Sequence, residues 1–273
     1  FQNKLPYAGF PLTAPVAQAL RPYPQFSSGL APLWAPEGRT WYDSLQAKVT
    51  QRVWHGLEAQ YAFTWSKELQ SGTEAGTVND IFNRGTTKTL SGFSRPLVSV
   101  ISINYRTPAM KGNRIVAQVT RDWMIGSTLN YASGLPILAP TSINNLTTLL
   151  FRSTFYNRVP GVPLFLKDLN CHCINPYTDL VLNRDAWKNP DAGTWGPGPT
   201  TLFYTDYRAQ RHPSENLNIG RNFRVHERMN LQIRAEFSNI FNRTQLGNPV
   251  LSAPFNATNA VNNPTVTAGR YTG

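Results

Sequence analysis

Two groups of residues carry enough donor and acceptor chemistry to be weighed first. Cys171, His172 and Cys173 stand together, and two thiolates beside an imidazole are good ligands for zinc or copper. Three adjacent residues cannot easily all face one ion, and His212 serves as a fourth ligand only if its loop folds back. A disulfide, or two free thiols, is the plainer reading of this pair, the only cysteines in the chain. No metal and no cofactor is therefore expected. Asp206, Tyr207 and Arg208, followed by Arg211, His212 and Pro213, gather a carboxylate, an imidazole and guanidinium groups. A local salt-bridge and turn network accounts for them without catalysis. No nucleophile elbow, phosphate loop or paired-carboxylate motif accompanies them, so the chain is not expected to be an enzyme. Phe203, Tyr204 and Tyr207 add aromatic surface suited to ligand contact, or to an ordinary mini-core within a loop.

The composition narrows the elements that hold these residues in place. Of 273 residues, 41% are hydrophobic and 12% aromatic, with seven Trp, but only 15% are charged. Soluble domains carry about 25% charged residues. No run approaches the ~18 apolar residues of a membrane helix, so any membrane crossing must use strands. The net charge of +11, from 26 Lys and Arg against 15 Asp and Glu, is scattered rather than clustered. That pattern argues against a nucleic-acid partner and fits a positive field facing anionic lipid head groups or solutes. Phe1 opens no signal-peptide pattern, so the chain reads as an internal segment.

Period-two alternation recurs along the chain and marks three strand pairs. In the first, about 42–66, Leu45, Ala47 and Val49 alternate with Gln46, Lys48 and Thr50. After a short link at 53–56, Leu57, Ala59, Tyr61, Phe63 and Trp65 alternate with residues that include Glu58 and Gln60. The second, about 97–133, sets Ile101, Ile103 and Tyr105 against Asn104 and Arg106, then Trp123, Ile125, Leu129 and Tyr131 against Asn130. The start of its return strand is ambiguous, because Ile115, Ala117 and Val119 keep the same phase. In the third, about 215–240, Leu217, Ile219 and Phe223 alternate with Asn218 and Arg224. Met229, Leu231, Ile233, Ala235 and Phe237 then alternate with Asn230, Gln232, Arg234 and Glu236.

The connections alternate as well. Links within pairs are short, whereas residues of about 67–96 and 134–214 form long loops rich in Gly, Pro, Asn, Ser and Thr; Ile143 to Phe155 is apolar enough to be a strand or short helix there. A soluble sandwich seldom carries such loops, and does not confine them to alternate connections. An outer-membrane barrel does so routinely. The expected fold is an all-β antiparallel transmembrane barrel segment. The apolar set faces lipid; the polar set, with Lys48, Arg52, Glu58, Arg106, Arg224, Arg234 and Glu236, faces a wet lumen. Aromatics near strand ends (Tyr42, Trp65, Tyr105, Trp123, Tyr131 and Phe237) suit interfacial girdles. Loop length sets direction: strands 57–66, 123–133 and 229–240 run outward, and the others run back.

Seven segments in order carry a more specific likeness: Leu20 to Phe26 (LRPYPQF), Trp41 to Val49 (WYDSLQAKV), Tyr61 to Lys67 (YAFTWSK), Tyr131 to Pro136 (YASGLP), Val159 to Leu164 (VPGVPL), Asn218 to Arg224 (NIGRNFR) and Ile233 to Arg243 (IRAEFSNIFNR). Together they resemble the barrel region of TonB-dependent receptors, in particular the Oar-like branch. The resemblance implies a barrel of about 22 strands closed by a separate plug. It also implies a place in the outer membrane of a Gram-negative bacterium, contact with the TonB complex through the plug, and uptake of an unknown solute. No plug-like segment is present, and the chain stops at Arg270 to Gly273, before the family's final strand. The whole of 1–273 is accordingly expected to be a partial barrel domain, a C-terminal fragment truncated at both ends. An adhesion barrel without active transport shares the same fold. A soluble carbohydrate-binding β-sandwich would need the long loops to pack around a dry core.

Overall fold

The computed structural model describes residues 4–14, 16–21, 23–26, 38–71, 88–108, 113–140, 155–176, 178–188, 202–226, 229–250 and 270–271. A short helix α1 (Val16–Ala19) precedes the strands β1 (Arg39–Trp54), β2 (Leu57–Ser71), β3 (Lys88–Leu90) and β4 (Leu97–Arg106). Helix α2 (Arg114–Thr120) leads into β5 (Trp123–Ala132), followed by the small strands β6 (Pro136–Leu138), β7 (Asn157–Arg158), β8 (Trp187–Lys188) and β9 (Phe203–Arg208). The long strands β10 (His212–His226) and β11 (Met229–Phe237) follow, then β12 (Pro249–Val250) and β13 (Arg270–Tyr271).

The long strands form an antiparallel meander in the order β1-β2-β4-β5-β10-β11, with β3 added beside β2. All six strands read from the alternation are present. The β1–β2 hairpin turns on His55 and Gly56, at φ 50° and 86°. Two successive left-handed residues match the right-handed twist of the flanking strands. A side chain at Gly56 would meet the Arg106 carbonyl oxygen at 2.2 Å, so the turn also needs the absent Cβ for the close passage of β4.

Several boundaries differ from those expected: β1 starts at Arg39 rather than about 42, β11 ends at Phe237 rather than about 240, and three further differences have a visible cause. The β2 strand continues to Ser71 because Lys67 to Ser71 find backbone partners at Asp43 to Arg39, and Leu69 to Ser71 pair with β3. β10 starts at His212, paired with Ala132. The stretch with Ile115, Ala117 and Val119 is a helix, not the start of a strand. Asn113 caps it by accepting a hydrogen bond from the Ile115 N–H at 3.2 Å. Ile143 to Thr154 lie outside the described residues, while Phe155 joins a buried core.

The sheet is staggered. One row of paired residues runs Leu57, Tyr105, Ile125, Ile219, Ala235. It meets β2 at its first residue after the turn and β11 near the strand's far end. Such a shift of strand ends along the sheet is the shear that tilts strands in a barrel.

Candidate membrane wall and loop domain

Alternation stays in phase across all six long strands. Leu45, Ala47 and Val49 stand opposite Trp65, Phe63 and Tyr61. Leu57, Ala59 and Tyr61 face Tyr105, Ile103 and Ile101, and Ile101 faces Leu129 in turn. Ile125 pairs with Ile219, while Leu217, Ile219 and Phe223 pair with Phe237, Ala235 and Leu231. Trp123 and Tyr131 share this face by register with Arg221 and Pro213. Met229 pairs with His226 after a register shift. A slip of one residue in any strand would reverse its faces, and no strand slips in the shared span.

The opposite face carries the polar set. Gln46 and Lys48 lie across from Thr64 and Ala62, and Glu58 and Gln60 from Asn104 and Ser102. Arg106, Asn130 and Asn218 take the same parity, with Asn218 opposite Glu236, Arg234 opposite Gly220, and Gln232 and Asn230 opposite Asn222 and Arg224. Gly126 and Gly220 leave a dip here, and Glu58, Asn104, Arg106, Asn218 and Arg234 line the cleft above it. One girdle residue changes side. Tyr42 pairs with Glu68 and belongs to the polar face, because β1 runs unbroken and even positions share the side of Gln46. Trp41, opposite Leu69, takes the apolar position instead, with the Lys88 ammonium 4.2 Å above its ring.

Across the middle of the sheet nothing among the described residues covers the apolar face; only its margins are met, by Arg243 at Glu215 and by helix α2 at Trp123. Leu45 is 62% exposed and Ile233 59%. The hydrophobic core among the described residues lies elsewhere, in the connection between β5 and β10. Ile137, Phe155, Tyr156, Leu164, Val181, Leu182, Trp187, Leu202 and Tyr204 are buried together there. A sheet whose large apolar face stays uncovered, beside a loop that packs its own core, is the reverse of a soluble sandwich. None of the described helices is long and apolar enough to cross a membrane, which says nothing about crossing by strands.

The aromatic trio of the loop takes the mini-core reading. Tyr204 is buried rather than offered to a ligand, and its hydroxyl accepts a hydrogen bond from Trp187 Nε1 at 2.9 Å. Burial pushes this hydroxyl above its ordinary pKa. Phe203 and Tyr207 pack partly buried against the same core. Arg158, which the sequence did not single out, ties the loop together. It donates to the carbonyls of Ala186 at 2.8 Å and Val162 at 3.0 Å, and to the Tyr207 hydroxyl at 3.1 Å. Tyr207 and the exposed Asp206 line a shallow cleft beside the Val159 to Pro163 turn.

Cys171 and Cys173 are joined by a disulfide, which removes both thiolates from any metal site. His172, at φ 53°, sits at the tip of this knuckle. Among the described residues no cluster of three or more His, Cys, Asp or Glu is arranged to hold a metal ion. The expected salt-bridge network around Asp206 to His212 is replaced by backbone bonding: Arg208 donates to the carbonyl of Ser94 at 2.6 Å and of Gly134 at 3.3 Å. Carbonyls from two neighbouring loops hold it, and among the described residues no carboxylate pairs with it. Burial lowers the pKa of this guanidinium. The two ends of the loop nearly touch, since a Cβ on Gly134 would lie 1.9 Å from the Ala209 carbonyl oxygen.

A second residue pair was missed. Glu215 is fully buried at an apolar-phase position, opposite Leu129, and accepts from Arg243 Nε at 2.9 and 3.1 Å. The signal was available: a carboxylate in phase with Leu217 and Ile219 must find a cation or stay out of the sheet. Asn239 and Asn242, at φ 50° and 48°, turn the chain back after β11 so that Arg243 reaches it.

This staggered, amphipathic antiparallel sheet, with a largely uncovered apolar face and a loop domain that packs its own core, defines an all-β outer-membrane barrel domain. A family model described as outer membrane beta barrel domain matches residues 2–272, and the chain belongs to that family. No curated protein and no solved structure matches it. Family membership places it in the outer membrane of Gram-negative bacteria.

Proposed function

We propose that the chain is the wall and capture surface of a TonB-dependent receptor that takes up a solute across the outer membrane. In this reading the apolar face from Leu45 to Phe237 contacts lipid and the polar face from Gln46 to Glu236 lines the lumen. The turn end faces the periplasm and the loop end faces outside. The observation that carries it is the folded loop between β5 and β10, whose core around Trp187 and Tyr204 holds a shaped surface above the wall. A connection serving only to close a strand pair has no need of a core. The seven segments shared with Oar-like receptors support the finer assignment. Partners are then outer-membrane lipid, a plug domain, the TonB complex and a solute such as a metal chelate, vitamin or glycan. The role is binding and passage, not catalysis.

Depletion of single solutes from a defined mixture of ferric chelates, cobalamin and oligosaccharides tests this in living cells. Deleting the gene and collapsing the inner-membrane proton gradient should abolish depletion of the same solute. Depletion that survives both treatments would defeat the transport reading. Surface binding that needs the gene but ignores the gradient would replace it with an adhesion barrel.

A further inference from the structure

Helix α2 exposes Ile115, Val116 and Val119 at 69%, 48% and 56%, an apolar surface in what the alternation of loop lengths marks as the turn end. Three side chains fix where this helix lies. Thr107 Oγ1 donates to the Thr120 carbonyl at 2.6 Å, Trp123 Nε1 to that of Val119 at 2.7 Å, and the Arg221 guanidinium to that of Gln118. These carbonyls belong to the last helical turn, where the helix has no donors of its own to give them. All three side chains hold apolar-phase positions. Arg221 pairs with Trp123 and Ile233, and Thr107 continues β4 in phase with Tyr105, its N–H donating to the Trp123 carbonyl at 3.0 Å. The helix is therefore tied to the apolar side of the sheet.

The charge at this rim is positive. Arg221 lies 5.5 Å from the Trp123 ring centre and 4.7 Å from that of Phe223, a cation held on the apolar face by aromatic neighbours. Asp122 is already engaged by Arg106 at 3.0 Å and by Arg121 at 3.8 Å. The first turn of α2 holds no acidic residue, and Arg114 there is exposed. A short helix with apolar residues outward, basic residues alongside and a Trp at its base fits the boundary between head groups and acyl chains.

We propose that α2 lies in the headgroup layer of the periplasmic leaflet, with Ile115, Val116 and Val119 in its apolar margin, and that Arg221 and Arg114 recruit anionic phospholipid there. This rests on the apolar face being the lipid face. The full-length protein, reconstituted into phosphatidylethanolamine vesicles with and without phosphatidylglycerol, provides the test. Single nitroxides at Val119→Cys, Ile101→Cys and Gln60→Cys report collision with oxygen, which concentrates in lipid, and with a water-soluble nickel chelate. The Ile101 and Val119 labels should favour oxygen and the Gln60 label nickel. A Val119 label dominated by nickel, with Ile101 still in lipid, overturns the placement of α2 alone. An Ile101 label dominated by nickel overturns the face assignment itself. Association of spin-labelled phosphatidylglycerol should fall about fivefold in Arg221→Gln and in Arg114→Gln, the latter lying outside the sheet and leaving its pairing intact. Unchanged association in Arg114→Gln overturns the recruitment of anionic lipid.

Discussion

Glu215 is the most demanding residue of the sheet, a carboxylate with no solvent exposure whose charge is met by one guanidinium. Removing one member of a buried ion pair leaves the other as an uncompensated charge, which costs about 3–5 kcal/mol. Arg243 keeps 32% of its side chain exposed, so the lower end, about 3 kcal/mol, applies to Arg243→Ala. Urea unfolding of the protein refolded in detergent, followed by tryptophan fluorescence, measures this loss. The double variant Glu215→Leu with Arg243→Met should recover most of it, since a well-packed apolar pair needs no partner charge. A double variant as unstable as Arg243→Ala would mean that Arg243 acts through its bonds to the 239–246 turn rather than through Glu215. Asn239 is the residue to watch in that case, because its side chain caps Arg243 N–H at 2.8 Å.

At the scale of elements, the two faces of β4 give the sharpest contrast. Ile101 stands between Tyr61 and Leu129, and Ser102 between Gln60 and Thr128. Arg introduced on a lipid face near the bilayer midplane costs about 2–4 kcal/mol, whereas a lumen position accepts it. Ile101→Arg should therefore lose heat-modifiable migration on gels and Ser102→Arg should keep it; equal behaviour of the two would contradict the face assignment. The alternation made these strands legible, because a side-chain period of two survives in sequence wherever the faces meet different solvents. It failed at Ile115 to Val119, which alternate as a strand does yet form α2. There the Asn113 cap and donors from Thr107 and Arg221 decide, and no local pattern announces Arg221, 103 positions from the Gln118 carbonyl it reaches. Tyr42 was misplaced because an aromatic near a strand end was counted by type and not by parity. The loop core was illegible for a related reason. Trp187, Tyr204 and Leu164 follow no period, and only folding shows that Phe203, Tyr204 and Tyr207 turn inward.

For the whole molecule, the loop domain carries its own core while the wall is held by strand pairing, so the two should fail separately. Trp187 is 1% exposed, and truncating such a residue to Ala costs about 3–5 kcal/mol. Trp187→Ala should open the loop to limited proteolysis and end solute uptake while leaving heat-modifiable migration of the barrel intact. Loss of that migration would show that wall and loop fold as one. Their junction has a further consequence for how the chain assembles. Hairpins β1–β2 and β10–β11 close over short turns, but β5 must find β10 across residues 133–211. Closing a loop of roughly 80 residues costs about 4 kcal/mol in chain entropy before any strand contact forms. If the loop core forms first, the Ala209 N–H reaches the Leu135 carbonyl at 2.8 Å and brings the chain at both strand ends together. A distant pairing then becomes a local one. On the proposed reading, the domain that would present a surface to the outside would also act as a folding clamp, converting the β5–β10 closure into that of a hairpin.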